Sequence, residues 1–202
     1  AHRPSRDERG DPRHQLVAPI LSGEDRLDIV LEDDLVDGLV EHLARQPFAQ
    51  VPALQDGDLI LTESLAITLH IARKHGGALG PQSDAETALM EQWALFAATA
   101  VEGPALEIMM APTDATGEAT ARVAAEKLRR PLARLNTHLQ GRDWLVGNRF
   151  SVADINTAEC VRYAQGNKAL IAEFPDVQRW LTAAQSRPAF QKMWAGRMAE
   201  PA

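Results

Sequence analysis

Residues 46–67 read QPFAQVPALQDGDLILTESLAI. Val51 to Gln55 is apolar and extended, as a short strand requires. Asp56-Gly57 is a hairpin turn signal, because both central residues of that tight turn need positive φ. Asp58 to Leu61 returns as the second strand. Glu63-Ser64 then opens a helix that runs to about His75, with Gly76-Gly77 beyond its end. Val51-Pro52 stands where the first strand begins, a place in a sheet where proline is tolerated. A cis proline there leaves the N–H and C=O of its neighbour open to pairing with a peptide, as if a strand were added. A helix start favours a carboxylate through its N–H groups and dipole, and a serine hydroxyl adds a donor. The plainer alternative is that Pro52 only shapes the chain and Ser64 only caps the helix.

The rest of the chain narrows the choice. With 202 residues, it has room for one large or two small domains. A hydrophobic share of 45% supports a real core, while an aromatic share of 5% leaves the packing to aliphatic side chains and alanine. The net charge of -7 argues against a nucleic-acid partner, which calls for a basic surface. No apolar run reaches the length of a membrane span, and the polar start has no signal-peptide core. A single cysteine, Cys160, rules out a disulfide framework within the chain. These features fit a cytoplasmic protein.

Strand and helix signals mix up to Gly77, and from Ser83 onward only helices are legible. The expected division is therefore 1–77 and 83–202, joined by GGALGPQ at 76–82. In the first part, Asp11-Pro12 is a helix start, LDIVLE at Leu27 to Glu32 is a strand, and Gly38 to Arg45 is a short helix. In the second part, Ser83-Asp84-Ala85-Glu86 is a capping box for a helix running to about Ala111, bent at Gly103-Pro104. A second helix over 117–140 carries the stripe Leu128, Leu132, Leu135 and Leu139, with Pro131 set to kink it. Ser151 to Asp154 is a further capping box, and Pro175 to Ser186 is a helix with Val177, Trp180 and Leu181 facing inward.

Taken together, the V-P-A-L strand, the D-G-D turn, the T-E-S helix start, the helical second part and the W-L-V-G…F-S-V-A-D-I box resemble cytosolic glutathione transferases of bacterial type. The likeness covers about residues 27–197. It implies an α+β thioredoxin-like domain that binds glutathione, followed by an all-α domain. It also implies a homodimer with glutathione as co-substrate, and conjugation of small hydrophobic electrophiles. Carried onto this sequence, the backbone of Val51 before Pro52 pairs with the cysteinyl part of glutathione. Glu63 and Ser64 hold its γ-glutamyl end, and Gln50 contacts its glycine end. Arg45 and His42 compete for that last role, or are simply solvated. Asp154 has a folding role in the family, and Phe48 is either a dimer anchor or a local packing residue.

The family's sheet has a further strand before Leu27–Glu32, and residues 1–11 have no apolar alternation to supply it. Either it lies upstream of Ala1, or the start is rebuilt, or the region is degenerate and catalysis is lost with it. The group that keeps the glutathione sulfur ionised belongs just after that strand. A free thiol with a pKa of about 8.5 is mostly protonated at neutral pH, so a hydroxyl or N–H donor must favour the anion. Ser5, between Arg3 and Arg6, is the candidate catalytic hydroxyl, with a plain loop residue as its alternative. Cys160 and Tyr163 read as packing residues. Trp93 and Phe96 are candidates for the electrophile pocket, although a stripe at helical spacing also reads as core. No histidine or cysteine spacing suits a metal. Two other functions stay open. One is a glutathione-dependent reductase, isomerase or dehalogenase, and the other is a non-catalytic ligand-binding or scaffold protein on the same fold.

Overall fold

The computed structural model describes residues 28–30, 43, 45–48 and 50–200. Ser5, Arg3, Arg6, His42, the helix start at Asp11-Pro12 and most of the short helix over 38–45 lie outside these residues; Leu43 and Arg45 have helical backbone. The chain divides into two compact units, Ala1–Ile67 and Thr68–Ala202.

In the first unit, β1 (Asp28–Val30), β2 (Ala53–Asp56) and β3 (Leu59–Thr62) form an antiparallel sheet in the order β1-β2-β3. The ladder opens at Ala53 rather than at Val51, since Pro52 has no N–H to give it. The Val51–Pro52 peptide bond is cis. The turn also differs from expectation by one residue. Asp56 pairs with Leu59, so the two central residues are Gly57 and Asp58. Gly57 alone of these has positive φ, at 61°, which suits a turn with glycine at its first central position. β1 lies directly beside β2, with Ile29 opposite Leu54. Among the described residues the sheet therefore has three strands where the family pattern calls for four. Ala53 and Leu54 are buried, while Leu59 and Ile60 of β3 are exposed.

Helix α1 (Ser64–His75) leaves β3 after one residue, and the boundary between the units falls inside it. Gly76 closes it through an N–H to the Ala72 carbonyl at 2.9 Å, and a 3-10 turn follows over Gly77–Leu79. A β-carbon at Gly76 would lie 2.4 Å from that same carbonyl oxygen, so a side chain there forces the backbone to move.

The second unit is helical: α2 (Asp84–Phe96), α3 (Gly103–Met109), α4 (Ala115–Leu139), α5 (Val152–Arg162), α6 (Lys168–Ala172), α7 (Pro175–Gln185) and α8 (Pro188–Ala199). Ser83 caps α2 by accepting from the Glu86 N–H at 3.2 Å. The long helix expected from Ser83 to Ala111 is interrupted by a π-helical turn over Ala97–Glu102, before Gly103-Pro104 rather than at it. Proline at the head of α3 has no N–H for the preceding turn, which favours this wider winding. The stripe of α4 behaves as its spacing demands: Leu128, Leu132, Leu135 and Leu139 are all fully buried. They pack this helix against α3 and α7, while α2 packs on α5. Val177, Trp180 and Leu181 are buried on α7.

Two polar knots fix the loops. Asp154, 0% exposed, stands in the first turn of α5. Its Oδ2 accepts from the Ser151 N–H at 2.9 Å and the Ser151 hydroxyl at 3.2 Å. Its Oδ1 accepts from the Leu145 N–H and the Trp180 indole N–H, both at 2.9 Å. Burial pushes its carboxyl above the usual range, against the pull of these four donors. The second knot is Arg149. It grips Glu86 with two nitrogens, at 2.8 and 2.5 Å, and gives further bonds to the carbonyls of Ala78 and Gly80 at 2.9 Å. The bonds from Arg149 and from the Gln82 N–H hold the Glu86 carboxyl well below its usual range, at about 2. The left-handed backbone of Gly147 and Asn148 delivers Arg149 to this place, and a β-carbon at Gly147 would lie 2.2 Å from its guanidinium.

Candidate functional site

The hairpin register decides how the proposed glutathione-anchoring residues are grouped. Ala53 pairs with Thr62 as the last rung of β2 and β3. Val51-Pro52 and Glu63-Ser64 therefore leave the sheet from the same end, one pair on each strand. Val51 is 46% exposed, and Gln50, Glu63 and Ser64 are exposed as well. Glu63 has a φ of 70°, the left-handed region that a non-glycine residue rarely enters. Its carbonyl accepts the first helical bond, from the Ile67 N–H at 3.0 Å, so Glu63 caps α1. An N-cap ordinarily has extended backbone. Such unusual φ values cost about 1–3 kcal/mol and cluster at ligand-binding positions.

Of the other described candidates, Arg45 is occupied and Phe48 is exposed. Arg45 donates from Nε to the Gln55 side-chain oxygen at 2.8 Å, so it ties the segment before the hairpin to β2. The buried Gln46 accepts from the Phe48 N–H at 3.0 Å, and Phe48 itself is 80% exposed.

In the helical unit, Trp93 is buried and Phe96 is half-buried against it, ring edge to ring face at 5.3 Å. Arg134 lies over both rings, at 5.9 and 5.3 Å, and His138 packs on Trp93 at 4.7 Å. Of this cluster Trp93 is buried, Phe96 and His138 are half-buried and Arg134 is exposed. An open cleft of this unit, ≈ 960 Å³, lies elsewhere. Its walls include Ile108 and Met109 from the end of α3, Arg162 and Tyr163 from the end of α5, and Phe190 and Trp194 from α8. Trp93 and Phe96 do not line it. Phe190 stacks on Trp194, with ring planes 9° apart and centroids at 6.0 Å. Arg162 lies over the rings of Tyr163 and Trp194, at 4.9 and 5.1 Å. Burial raises the Tyr163 phenol above its usual range, with Arg162 pulling the other way, so it keeps its proton at neutral pH.

The sequence offered a weak signal for this cleft. A tyrosine at a helix end and a tryptophan on the last helix are compatible with packing, and nothing linear brings them together. Cys160, one turn before Tyr163, is buried, and its thiol is pushed up to about 12 by burial and by the Glu102 and Glu159 carboxylates. It is not a nucleophile in the native fold. Among the described residues, no group of three histidine, cysteine or acidic side chains is placed to hold a metal ion.

Two family models match the chain: the N-terminal domain of glutathione S-transferase over residues 35–73, and its C-terminal domain over residues 89–188. Glutathione S-transferase 4 of Zea mays is 33% identical over 76% of this chain and 73% of its own length. A glutathione transferase of Burkholderia graminis, crystallised with two glutathione molecules per subunit, superposes with a TM-score of 0.64 at 32% identity. That match covers 75% of this chain and 69% of the other. Ure2p5 of Phanerochaete chrysosporium, cocrystallised with 1-(S-glutathionyl)-2,4-dinitrobenzene, gives a TM-score of 0.67 at 27% identity over 81% of this chain and 83% of its own.

Proposed function

The chain belongs to the glutathione S-transferase family, and from that premise we propose that it is a transferase joining the glutathione sulfur to small hydrophobic electrophiles. The observation that carries this reading is the β2–β3 register, which gathers Val51-Pro52 and Glu63-Ser64 at one end of the sheet. Val51 offers strand-like pairing to the cysteinyl backbone. The Glu63 carboxylate takes the γ-glutamyl ammonium, and Ser64 donates to the γ-glutamyl carboxylate at the start of α1. Gln50 meets the glycine end. Ser5 is the proposed donor to the sulfur.

The cleft beside Tyr163 and Trp194, within the helical unit, has apolar and aromatic walls that suit a flat hydrophobic compound. With a chloronitrobenzene, the thiol proton passes to solvent and the thiolate sulfur bonds to the ring carbon. The carbon–chlorine bond then breaks and chloride leaves. The relative crystallised with a glutathionyl dinitrobenzene supports this class of product. A cytoplasmic homodimer acting in detoxification completes the proposal, and the exposed Phe48 ring suits an anchor in a second subunit.

Calorimetric titration with glutathione tests the anchoring. A hydrogen bond to a charged group is worth about 1.5–3 kcal/mol, so Ser64→Ala weakens binding by about 10- to 100-fold. A native protein that ignores millimolar glutathione refutes the proposal.

A further inference from the structure

Resting on the transferase reading above, we infer that Arg162 makes the cleft of the helical unit selective for flat aromatic compounds that carry an anionic ring substituent such as a carboxylate. Ring-binding and anion-binding groups are fused here in one arrangement. The Phe190–Trp194 stack gives a flat wall against which an aromatic ring lies. The Arg162 guanidinium lies over the Trp194 ring and over the Tyr163 ring. Because Phe190, Trp194, Tyr163 and Arg162 line one cleft, a flat compound held by its aromatic walls has a fixed cation within the same site.

That cation is held in place. Arg162 gives its Nε to the Glu159 carboxylate at 2.8 Å, which leaves its two terminal nitrogens for another acceptor. Its side chain is only 16% exposed, so water screens it poorly. The flanking rings and the Glu159 bond fix the guanidinium before any ligand arrives, so little ordering entropy is lost on binding. A planar guanidinium matches a carboxylate with two parallel hydrogen bonds.

The charges of the cleft agree. Its charged lining residues are Arg162 and Lys168, and the remaining polar lining groups are amides and the Tyr163 phenol. The nearby carboxylates are accounted for. Glu159 is bonded to Arg162, and Glu102, which acts on Cys160 and Tyr163, is not part of the wall.

The test uses two unreactive probes of the same shape, 3-nitrobenzoate and 3-nitrobenzamide, titrated calorimetrically into the full chain. The native protein is expected to bind the benzoate at least about ten-fold more tightly, the equivalent of one charge-assisted bond. Arg162→Gln is expected to bring the ratio to about one. Arg162→Lys retains part of the preference, and Lys168→Gln, an exposed residue, changes it less than two- to three-fold. Equal binding of the two probes by the native protein overturns the inference even if Arg162→Gln fails to fold. So does a preference that survives in a folded Arg162→Gln. Conjugation of 4-chloro-3-nitrobenzoate and its amide with glutathione separates this inference from the reading it rests on. A binding preference without any conjugation overturns the transferase reading alone. Conjugation without a preference overturns the anion selectivity alone.

Discussion

Replacing Asp154 with alanine removes the acceptor for four hydrogen bonds at once. Three come from groups with no freedom to turn elsewhere: the backbone N–H groups of Leu145 and Ser151, and the Trp180 indole. The fourth donor, the Ser151 hydroxyl, can rotate. Each stranded buried donor costs about 1–3 kcal/mol, which gives about 6 kcal/mol for three at the middle of that range. A water entering the vacated space recovers about one bond, so the expected loss is about 4 kcal/mol. Asp154→Asn is milder. Its oxygen still serves Leu145 and Trp180, but its amide group opposes the Ser151 N–H, for a loss of about 2 kcal/mol. Urea unfolding followed by tryptophan fluorescence measures both. All four tryptophans lie beyond Thr68, so the signal belongs to the helical unit. With a slope of about 2 kcal/mol per molar, the midpoints should fall by about 2 M and 1 M. A shift below about 0.5 M for the alanine variant, or an asparagine variant worse than alanine, refutes this account of the knot.

Other outcomes follow from the same physics. The Glu86 carboxyl is depressed from 4.5 to about 2, so its bond to Arg149 stabilises fully above pH 4.5 and fades as pH falls toward 2. Arg149→Met should lose about 2 kcal/mol at neutral pH, with the difference from native shrinking over that acid window in pH-dependent denaturation. Leu135→Ala, in the middle of the buried stripe, should cost about 3 kcal/mol in the same urea assay. Cys160 should resist an aromatic disulfide reagent at neutral pH until urea opens the fold, because its thiol is buried and titrates only near 12. Ser5→Ala should raise the pKa of bound glutathione's thiol, read from thiolate ultraviolet absorbance; an unchanged titration removes Ser5 from the reaction.

The hairpin was legible because a turn between two short strands is a local event, written in the residues that form it. The α4 stripe and the Asp154 capping box were legible for the same reason: both repeat or close within one or two helical turns. The errors were also local. Pro52 withheld one rung, and a turn that places positive φ only on Gly57 moved its centre by one residue. The sequence signals failed where structure depends on distance along the chain. Arg149 bonds to groups 63 to 71 residues away, and Trp180 reaches Asp154 across 26. The cleft draws its walls from several helices and the loops between them, so no window of sequence contains it. Trp93 and Phe96 illustrate the converse: an aromatic pair one turn apart has the same spacing whether it lines a pocket or packs in a core.

Arg149 has a consequence for anyone who divides this chain. The run GGALGPQ at 76–82 has the composition of a dispensable spacer, and a gene cut at Ser83 is the natural first choice for a helical fragment. Such a fragment begins without Ala78 and Gly80, whose carbonyls take two of the bonds from Arg149. It also lacks Thr68, whose hydroxyl donates to the buried Asn156 on α5 at 2.6 Å. The truncation would thus expose polar groups that the intact chain satisfies, and the fragment should be less stable than its own core warrants. A piece that keeps these partners must begin within α1, in the middle of a helix rather than at the glycines.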